Sequence, residues 1–488
     1  MNNEMEPPLE FGIPEEDWAH TPKSVKDSFI VLWQQVEHFK EQMAELQEQV
    51  NRNSKNSSQP PSSDGPGKAA GTEKPKGKGR KRGGQKGHTG HQRQLVAVEE
   101  VEAVVAHKPE KCIECGGKLE GEDPEPYRYQ VTELPPVKAY VIEHQVHKMI
   151  CPCCGMENRG ELPPEVAASQ FGPNLVALVV LLMGVYRLSK RQVKGLLKDC
   201  FEIKIATGSV VNQQSVVSQA LAEPVEEACG YVQEQTVRNV DETGWYQHDQ
   251  DKKSWVWVVV TPMVTAYKIA LSRAGKVAKE LVGEESKGIV GSDRYSAYSW
   301  LANQLRQICW AHLQRDFQKI LERGGASGVI GGHLHQEGKG VLALWARIRD
   351  GTLSHAEFLV KLPNIKDRIH FWLTVGASCL HKKTSKTCGR ILKVETALWT
   401  FVTHSGVEPT NNSAERALRK AVIWRKISYG TQSDAGSRFV ERILTVVETC
   451  RQQDRNPLEY LQGAIIAHRS GQVVPSLLPD GQVNYFTP

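Results

Sequence analysis

Three acidic residues are placed so that they could hold metal ions for phosphodiester chemistry. Asp241 and Asp293 each close a β-branched run typical of a buried strand, and Glu415 stands near the start of a helical stretch. Carboxylates are the ligands that Mg²⁺ prefers, and two such ions about 4 Å apart can activate a hydroxyl and stabilise a leaving oxygen. Three bunched acids without a cation would repel each other. The pattern therefore predicts a shared metal site.

Each acid also has a simpler interpretation. Asp241 and Asp293 could begin loops at strand ends, and Glu415 could complete a capping box in which Asn412 caps the helix. Glu242 competes with Asp241, but successive strand residues point to opposite faces of a sheet, so only one of the two can contribute. We predict that Asp241 is the ligand and that Glu242 makes a salt bridge or a cap.

The segments around the acids follow the element order of a ribonuclease-H-like fold. Three strand-like runs precede a helix, a strand ending in Asp293, a short helical stretch within residues 295–305, a strand and a helix. In that fold the first and fourth strands are neighbours. We therefore expect Asp241 to end the first strand beside Asp293, and Glu415 to reach the same sheet edge from a helix packed over it.

A chain of 488 residues is too long for one core, so we expect a multi-domain α+β protein. The predicted segments are a coiled-coil helix (23–52), a disordered basic linker (53–94), a zinc-binding domain (95–165), a helical, helix-turn-helix-like segment (166–230), a ribonuclease-H-like α/β catalytic core in its first part (231–322), a helical insertion (323–405), the C-terminal helices of the core (406–470) and a tail (471–488). Ser189 is expected to start one helix in the fourth segment, and either Thr207 or Ser209 to start another. A plain helical spacer would give the same pattern there.

The first segment carries a heptad repeat. Apolar residues alternate at steps of four and three, at Val25, Phe29, Leu32, Val36, Phe39, Met43, Leu46 and Val50. The polar, Pro- and Gly-rich linker that follows offers nothing for this face to pack on. We predict a self-associating coiled coil, the alternative being an amphipathic helix packed on its own domain.

Five of the eleven cysteines fall within residues 112–154. They form two C-x-x-C knuckles, each followed by glycine, which is a pattern typical of a zinc site. The predicted ligands of one structural Zn²⁺ are Cys112, Cys115, Cys151 and Cys154, and Cys153 is left as a packed thiol. His144 and His147 are alternative ligands. Alternation within residues 127–134 and 139–150 predicts strands between the knuckles, and hence a zinc ribbon.

Charge is unevenly distributed along the chain. The net charge is only +5, but residues 74–93 hold eight Lys or Arg and no acid. We predict that this arm contacts DNA phosphates, with candidate residues Arg80, Lys81, Arg82 and Lys86, although a solvated tail would look the same. The longest apolar run, residues 175–186, is too short to span a bilayer, and the N-terminus lacks a secretory pattern, so we expect a cytoplasmic protein.

Six short motifs occur together in one order. They are NSSQPPSSD with RGGQKGHTG, the paired knuckles, VDETGW at residues 240–245, GSDRYSAY at 291–298, CWAHLQRDF at 309–317, and PTNNSAERALR with WRK at 409–426. In these motifs the chain resembles the transposases of the insertion sequence 66 family, which belong to the DDE group. The motifs extend over nearly the whole chain.

The resemblance implies a DNA transposase of a bacterial-type insertion sequence, an enzyme that cleaves element ends and transfers the strands to target DNA. It implies that Asp241, Asp293 and Glu415 are the DDE acids, holding two Mg²⁺ ions that Mn²⁺ can replace. The charge of Arg416 and Arg419 beside Glu415 predicts contacts with DNA phosphates that approach the metals. The expected assembly is a homodimer or a larger homo-oligomer. Whether accessory proteins encoded by the element also bind is an open question at this point.

Two other functions remain open from the sequence: a zinc-containing DNA-binding repressor with an inactive core, and a ribonuclease-H-like nuclease. The roles of two residues in CWAHLQRDF are also open. His312 and Arg315 share a helix face and could steer the scissile phosphate, or His312 could be a buried hydrogen-bonding residue.

Overall fold

The computed structural model describes residues 14–51, 57–59, 93–251, 253–285 and 287–479. At its N-terminal end are α1 (Glu15–His20) and the long α2 (Lys23–Asn51), where Trp18 packs edge-on against Phe29. The heptad face of α2 is exposed in the single chain, with Leu32 60% and Phe39 62% exposed. The predicted helix is therefore present.

Most of the basic linker lies outside the described residues, and with it Arg80, Lys81, Arg82 and Lys86. The described part includes Ser58, whose amide and hydroxyl both donate to the carboxylate of Glu322, each at 2.8 Å. This contact joins the linker to the region that follows the sheet.

The predicted strands between the knuckles are largely wrong. Of residues 127–150, only β1 (Lys148–Ile150) is a strand, and it pairs antiparallel with β2 (Glu157–Arg159). Residues 127–134 are flanked by prolines on both sides, and proline cannot donate to a strand ladder. Side chains make the cross-links instead: Arg128 and Gln130 both donate to the carbonyl of Val96.

Five helices lie between β2 and the main sheet: α3 (Pro164–Ala167), α4 (Pro173–Gly184), α5 (Lys190–Phe201), α6 (Thr207–Ala220) and α7 (Ala222–Gln233). Two predicted starts are confirmed: Ser189 makes a capping box with Gln192, and α6 begins at Thr207. The apolar α4 is largely buried, and α4, α5, α6 and α7 share one hydrophobic core with the sheet.

The sheet has five strands. The strands and the helices between and after them are β3 (Val237–Trp245), β4 (Ser254–Val260), β5 (Thr265–Ala270), α8 (Gly275–Val282), β6 (Ile289–Ser292), β7 (Arg306–Ile308) and α9 (Trp310–Leu321). The strand order is β5-β4-β3-β6-β7, in which β3, β4 and β5 are antiparallel while β6 and β7 run parallel to β3. Between β6 and β7 the chain forms two 3₁₀ turns, Ser296–Tyr298 and Asn303–Leu305, where a helical stretch was expected.

The strand containing Asp241 is longer than the sequence suggests. Asp241 is the fifth of nine residues in β3, because β4 continues to pair with β3 as far as Trp245. The expectation that Asp241 ends its strand is therefore wrong. Pairing with β6, however, stops at Asn239, which lies opposite Gly291. Asp241 and Asp293 each lie two residues beyond that pair, so they extend from the same end of the β3–β6 ladder.

The helical region after α9 has its own core. Its helices are α10 (Gly325–Arg349), α11 (His355–Ala377), α12 (Lys382–Leu392) and α13 (Thr400–Thr403), with a 3₁₀ turn at Glu395–Leu398. They bury a second hydrophobic cluster that includes Trp310 of α9. Trp399 lies inside this cluster, whereas Trp345 and Trp372 pack on it and are partly exposed.

Three helices complete the fold: α14 (Asn412–Ser428), α15 (Asp434–Gln452) and α16 (Pro457–Arg469). Helix α14 packs on β3 and β4, and α15 packs on β5. The acid-bearing start of α14 is thus held against the strand that carries Asp241. Among the described residues, no helix has both the length and the apolar character needed to cross a membrane.

Candidate active site

Neighbouring carboxylates on β3 have different environments. Burial alternates along the strand: Val240 and Glu242 are buried, whereas Asp241 is on the half-buried face. The Glu242 side chain is only 1% exposed and binds Arg273 Nε and Nη2 through one carboxylate oxygen, at 2.8 and 2.6 Å. Its other oxygen accepts from the hydroxyl of Tyr298. The predicted salt bridge of Glu242 is confirmed.

Asp293 follows β6 directly and is fixed by its own loop. Its Oδ1 accepts the Tyr295 amide at 2.8 Å, and its carbonyl accepts from Arg306 at 3.2 Å. The next residue, Arg294, forms an ion pair with Asp316 of α9. The loop after β6 is therefore tied both to β7 and to α9, which limits where the Asp293 carboxylate can lie.

Glu415 lies in the first turn of α14, but it does not form the capping box. The helix is preceded by Asn411, and no side chain caps it. Asn411 is buried, and it links two neighbouring segments: its Nδ2 donates to the Val240 carbonyl at 2.8 Å, and its amide donates to Cys309 Sγ at 3.2 Å. The start of α14 is thereby fixed beside Asp241 and beside the beginning of α9.

The Glu415 carboxylate faces α9. Its Oε1 lies 3.4 Å from His312 Nδ1 and 3.8 Å from Arg315 Nη2. The predicted shared face of His312 and Arg315 is confirmed, because both side chains approach the same oxygen. Glu415 Oε1 and His312 Nδ1 are nevertheless buried atoms without a hydrogen-bond partner among the described residues.

Electrostatic coupling connects the three predicted acids. Burial raises the pKa of Asp241 well above its ordinary value, and Glu242, Asp293 and Glu415 raise it further by repulsion. Burial also raises the pKa of Glu415, against the effect of Arg315, and Asp293 adds to the rise. The pKa of Asp293 itself is raised by burial, while a hydrogen bond from Tyr295 and nearby arginines oppose the rise. Repulsion within this group is reduced when a cation binds between the carboxylates.

Within the described chain, one cluster of metal-ligating atoms is more tightly grouped than the three predicted acids. Ligand atoms of Cys309, His312 and Glu415 all lie within 4.8 Å of one another, whereas those of Asp241, Asp293 and Glu415 do not. Burial, followed by the charge of Arg315, lowers the pKa of His312 to about 4, so this imidazole is neutral at pH 7. Cys309 was not among the predicted site residues, although its position three residues before His312 is a signal present in the sequence.

The other predicted site residues are dispersed. Arg416 and Arg419 are exposed and lie three residues apart on α14.

In each knuckle a glycine with positive φ closes the turn, Gly116 at 73° and Gly155 at 71°. Backbone amides in the turn lower the pKa of Cys112 and of Cys151. Among the four predicted zinc ligands, no three have ligand atoms within 4.8 Å of one another. Including His144 and His147 gives no such group either.

Two curated relatives match parts of the chain, and both are proteins of Sinorhizobium fredii. Uncharacterized protein y4qI is 28% identical over 237 residues, which are 43% of this chain and 42% of that protein. Uncharacterized protein y4hP is 24% identical over 398 residues, 74% of this chain and 71% of that protein. The chain thus spans less than half of the first relative's length.

Two family models match the chain. A family of unknown function (DUF6444) matches residues 8–94, which contain α1, α2 and the basic arm. The model described as the Transposase IS66 family matches residues 168–438, from the helices before the sheet to the start of α15. This match includes the whole sheet and all three candidate acids, and it extends over more than half of the chain. The protein therefore belongs to the Transposase IS66 family.

Proposed function

We propose that the protein is a DDE-type DNA transposase in which Asp241, Asp293 and Glu415 form the catalytic metal site. The observation that carries this proposal is geometric: Asp241 and Asp293 extend from the same end of the β3–β6 ladder, and Glu415 lies in the first turn of α14, which packs on β3. The proximity of the acids also raises the pKa of Asp241 and of Glu415. Clustered, desolvated carboxylates that raise each other's pKa are typical of functional sites. The strand order β5-β4-β3-β6-β7 supports a ribonuclease-H-like core.

The donor set fits Mg²⁺. All three residues offer carboxylate oxygens, and the buried Glu415 Oε1 has no hydrogen bond from the described residues that would compete with an ion. When bound, two Mg²⁺ ions would activate the attacking water or 3′-hydroxyl and stabilise the leaving oxygen. Mn²⁺ takes similar oxygen ligands and would substitute.

The chain's own residues bind and orient the DNA. Arg315 lies beside Glu415, and Arg416 and Arg419 are exposed in the N-terminal half of α14, which also carries Glu415. Their positive charge therefore faces DNA phosphates that approach the acids. His312 is neutral, and its Nδ1 lies 3.4 Å from Glu415 Oε1, beside the carboxylate. Glu242 is satisfied by Arg273 and Tyr298 and therefore acts as a structural support for β3.

Other segments supply sequence-independent and positioning contacts. The arm with Arg80, Lys81, Arg82 and Lys86 binds phosphates without reading bases. In the helical segment, Arg191, Lys194 and Lys198 are exposed along one face of α5, which supports a DNA-contacting role for this helix. The DNA partners are the element ends and the target.

We also propose that α2 pairs with α2 of a second copy. Eight heptad positions carry apolar residues, and most are exposed in the single chain. Two copies bring two element ends together.

Charging the heptad face is expected to dissociate the dimer. We expect the double change Leu32→Glu and Phe39→Glu to convert the full chain to monomer in sedimentation, because glutamates facing each other across the seam are repelled and desolvated. The matched control is Val31→Glu, an exposed residue of α2 outside the repeat, which should leave the dimer intact. A dimer that persists with both seam glutamates would contradict the coiled coil.

We further propose that Cys112, Cys115, Cys151 and Cys154 hold one structural Zn²⁺ when the two knuckles close on a common ion. The formed turns and the lowered pKa of Cys112 and Cys151 support this, since the thiolate is the ligand form.

Loss of one knuckle should remove this zinc. Purified full-length protein should contain about one Zn²⁺ per chain at this site, and the variant with Cys112→Ser and Cys115→Ser should lose it and melt at a lower temperature. Cys153→Ser serves as the control and should change neither zinc content nor melting. Equal zinc content in all three proteins would rule out the site.

An in vitro reaction with labelled element ends tests the proposed function as a whole. A transposase gives 3′-end cleavage followed by joining to target DNA, both dependent on divalent metal. Cleavage without joining would favour a ribonuclease-H-like nuclease, and binding without either product would favour a repressor.

A further inference from the structure

We propose that Cys309, His312 and Glu415 form a binding site for a Zn²⁺-class ion that shares Glu415 with the magnesium centre. The three residues come from different elements: Cys309 follows β7, His312 is in the first turn of α9, and Glu415 is in the first turn of α14. Their ligand atoms all lie within 4.8 Å of one another. A sulfur, a nitrogen and an oxygen donor suit Zn²⁺ or Co²⁺, whereas Mg²⁺ prefers oxygen alone.

The distances require only a small adjustment. With metal–ligand bonds of about 2.0–2.3 Å, neighbouring ligands of a tetrahedral ion lie about 3.3–3.8 Å apart. The His312 Nδ1 to Glu415 Oε1 distance of 3.4 Å is already in that range. The sulfur must approach by about 1 Å or less, which is within the reach of side-chain rotation.

Two of the three ligand atoms lack hydrogen bonds. His312 Nδ1 and Glu415 Oε1 are buried without a hydrogen-bond partner among the described residues, although each faces the other. A buried polar atom without a hydrogen-bond partner destabilises the fold. One ion placed between the two atoms would satisfy both of them.

Neighbouring groups hold the sulfur in place, but burial raises the pKa of the Cys309 thiol to about 11, so a bound ion must displace its proton. The amide of Asn411 donates to Cys309 Sγ at 3.2 Å, and Cys309 occupies the N-cap position of α9, where the helix dipole favours negative charge. Asn411 is itself fixed by the bond from its side chain to β3. Such outer contacts orient metal ligands and hold them in place.

Arg315 opposes the ion, and its position shows how the site would open. Its guanidinium lies 3.8 Å from Glu415 Oε1, and its side chain is partly exposed. It can move into solvent when a cation takes the carboxylate. Three protein ligands then leave one position of the ion open to water, which distinguishes this site from a closed structural one.

Sharing Glu415 makes the two kinds of metal compete. An ion held by Cys309 and His312 draws the third carboxylate towards α9 and away from Asp241 and Asp293. Zn²⁺ would therefore inhibit strand transfer. This consequence rests on the proposed function, whereas binding of the ion does not.

Cobalt absorption tests the binding directly. Metal-free full-length protein is titrated with Co²⁺, and thiolate-to-cobalt charge-transfer absorption is compared between the wild type, Cys309→Ala and the control Cys388→Ala, another buried cysteine. Contributions of the knuckle cysteines cancel in the difference spectra. We expect Cys309→Ala to lose about one cobalt equivalent with its sulfur band, and Cys388→Ala to match the wild type.

Glu415→Gln provides a second measurement if Cys309→Ala does not fold. It should weaken the binding of this one cobalt ion at least tenfold. The thiolate-to-cobalt band should still appear once enough Co²⁺ is added to saturate the site. Identical spectra and affinities for the wild type and whichever variant folds would overturn the site. In strand-transfer assays Cys309→Ala should tolerate at least about tenfold more Zn²⁺ than the wild type. Cobalt binding without zinc inhibition would leave the ion site intact and count against the role of Glu415 in catalysis.

Discussion

Replacing Glu415 by glutamine is expected to reduce DNA cleavage and strand transfer at least about 10³-fold, which corresponds to about 4 kcal/mol of transition-state stabilisation. The amide keeps the size of the side chain but removes the negative charge that would hold Mg²⁺. Because Glu415 Oε1 makes no hydrogen bond to the described residues, the change removes no bond on which α14 depends. The protein should fold and bind DNA normally.

Matched variants separate catalysis from helix capping. Asp241→Asn and Asp293→Asn should be as inactive as Glu415→Gln, since each removes one carboxylate of the same site. Asn412→Ala tests the capping interpretation: Asn412 is exposed and no side chain caps α14, so activity should remain close to that of the wild type. Near-normal strand transfer by Glu415→Gln would show that Glu415 has only a structural role.

The raised pKa values determine how the metal-free protein responds to pH. Asp241, Asp293 and Glu415 have a higher pKa in the folded protein than the ordinary 3.8 or 4.5, so folding favours their protonated forms. Their contribution to stability is fully present below the ordinary pKa and is lost as pH rises through the raised pKa. At neutral pH the acids therefore destabilise the metal-free fold, and divalent metal should raise its melting temperature.

Asp241, Asp293 and Glu415 could be proposed as site residues from sequence because strand and helix patterns are local. Asp241 and Asp293 follow β-branched runs, and the run of Arg and Lys after Glu415 identifies a helix on which a single acid is unusual. The end of β3 could not be found in this way, because it depends on how far β4 continues to pair with it, as far as Trp245 opposite Ser254. Which strand pairs with which, and for how long, is a tertiary property.

Contacts between distant segments were also hidden from sequence. Asn411 bonds to Cys309, 102 residues earlier, and to Val240, 171 residues earlier. Asn411 is buried and connects β3 with α9, a role that its place in the sequence does not indicate. The segment between the knuckles was misread for a different reason: alternation predicted strands, but the flanking prolines remove donors that a ladder requires. The alternation pattern alone does not show that these hydrogen-bond donors are missing.

Removing the neighbouring carboxylate, Glu242, is expected to have the opposite kind of effect. Its side chain is 1% exposed, and its oxygens bind Arg273 and the Tyr298 hydroxyl. Arg273 in turn lies 3.8 Å above the Tyr295 ring. Breaking one partner of a fully buried ion pair costs about 3–5 kcal/mol, and because Arg273 is 34% exposed we expect a smaller loss of about 2–3 kcal/mol for Glu242→Ala.

Thermal unfolding without divalent metal measures this difference between the two adjacent acids. Glu242→Ala should lower Tm by at least about 4 °C, whereas Glu242→Gln keeps one acceptor for Arg273 and should retain most of the stability and activity. Asp241→Asn should abolish strand transfer and leave Tm at pH 7 unchanged or higher, because it removes a carboxylate whose ionised form the fold disfavours. If Glu242→Ala instead melted like the wild type while Asp241→Asn unfolded, Glu242 would be the better candidate for the metal ligand on β3.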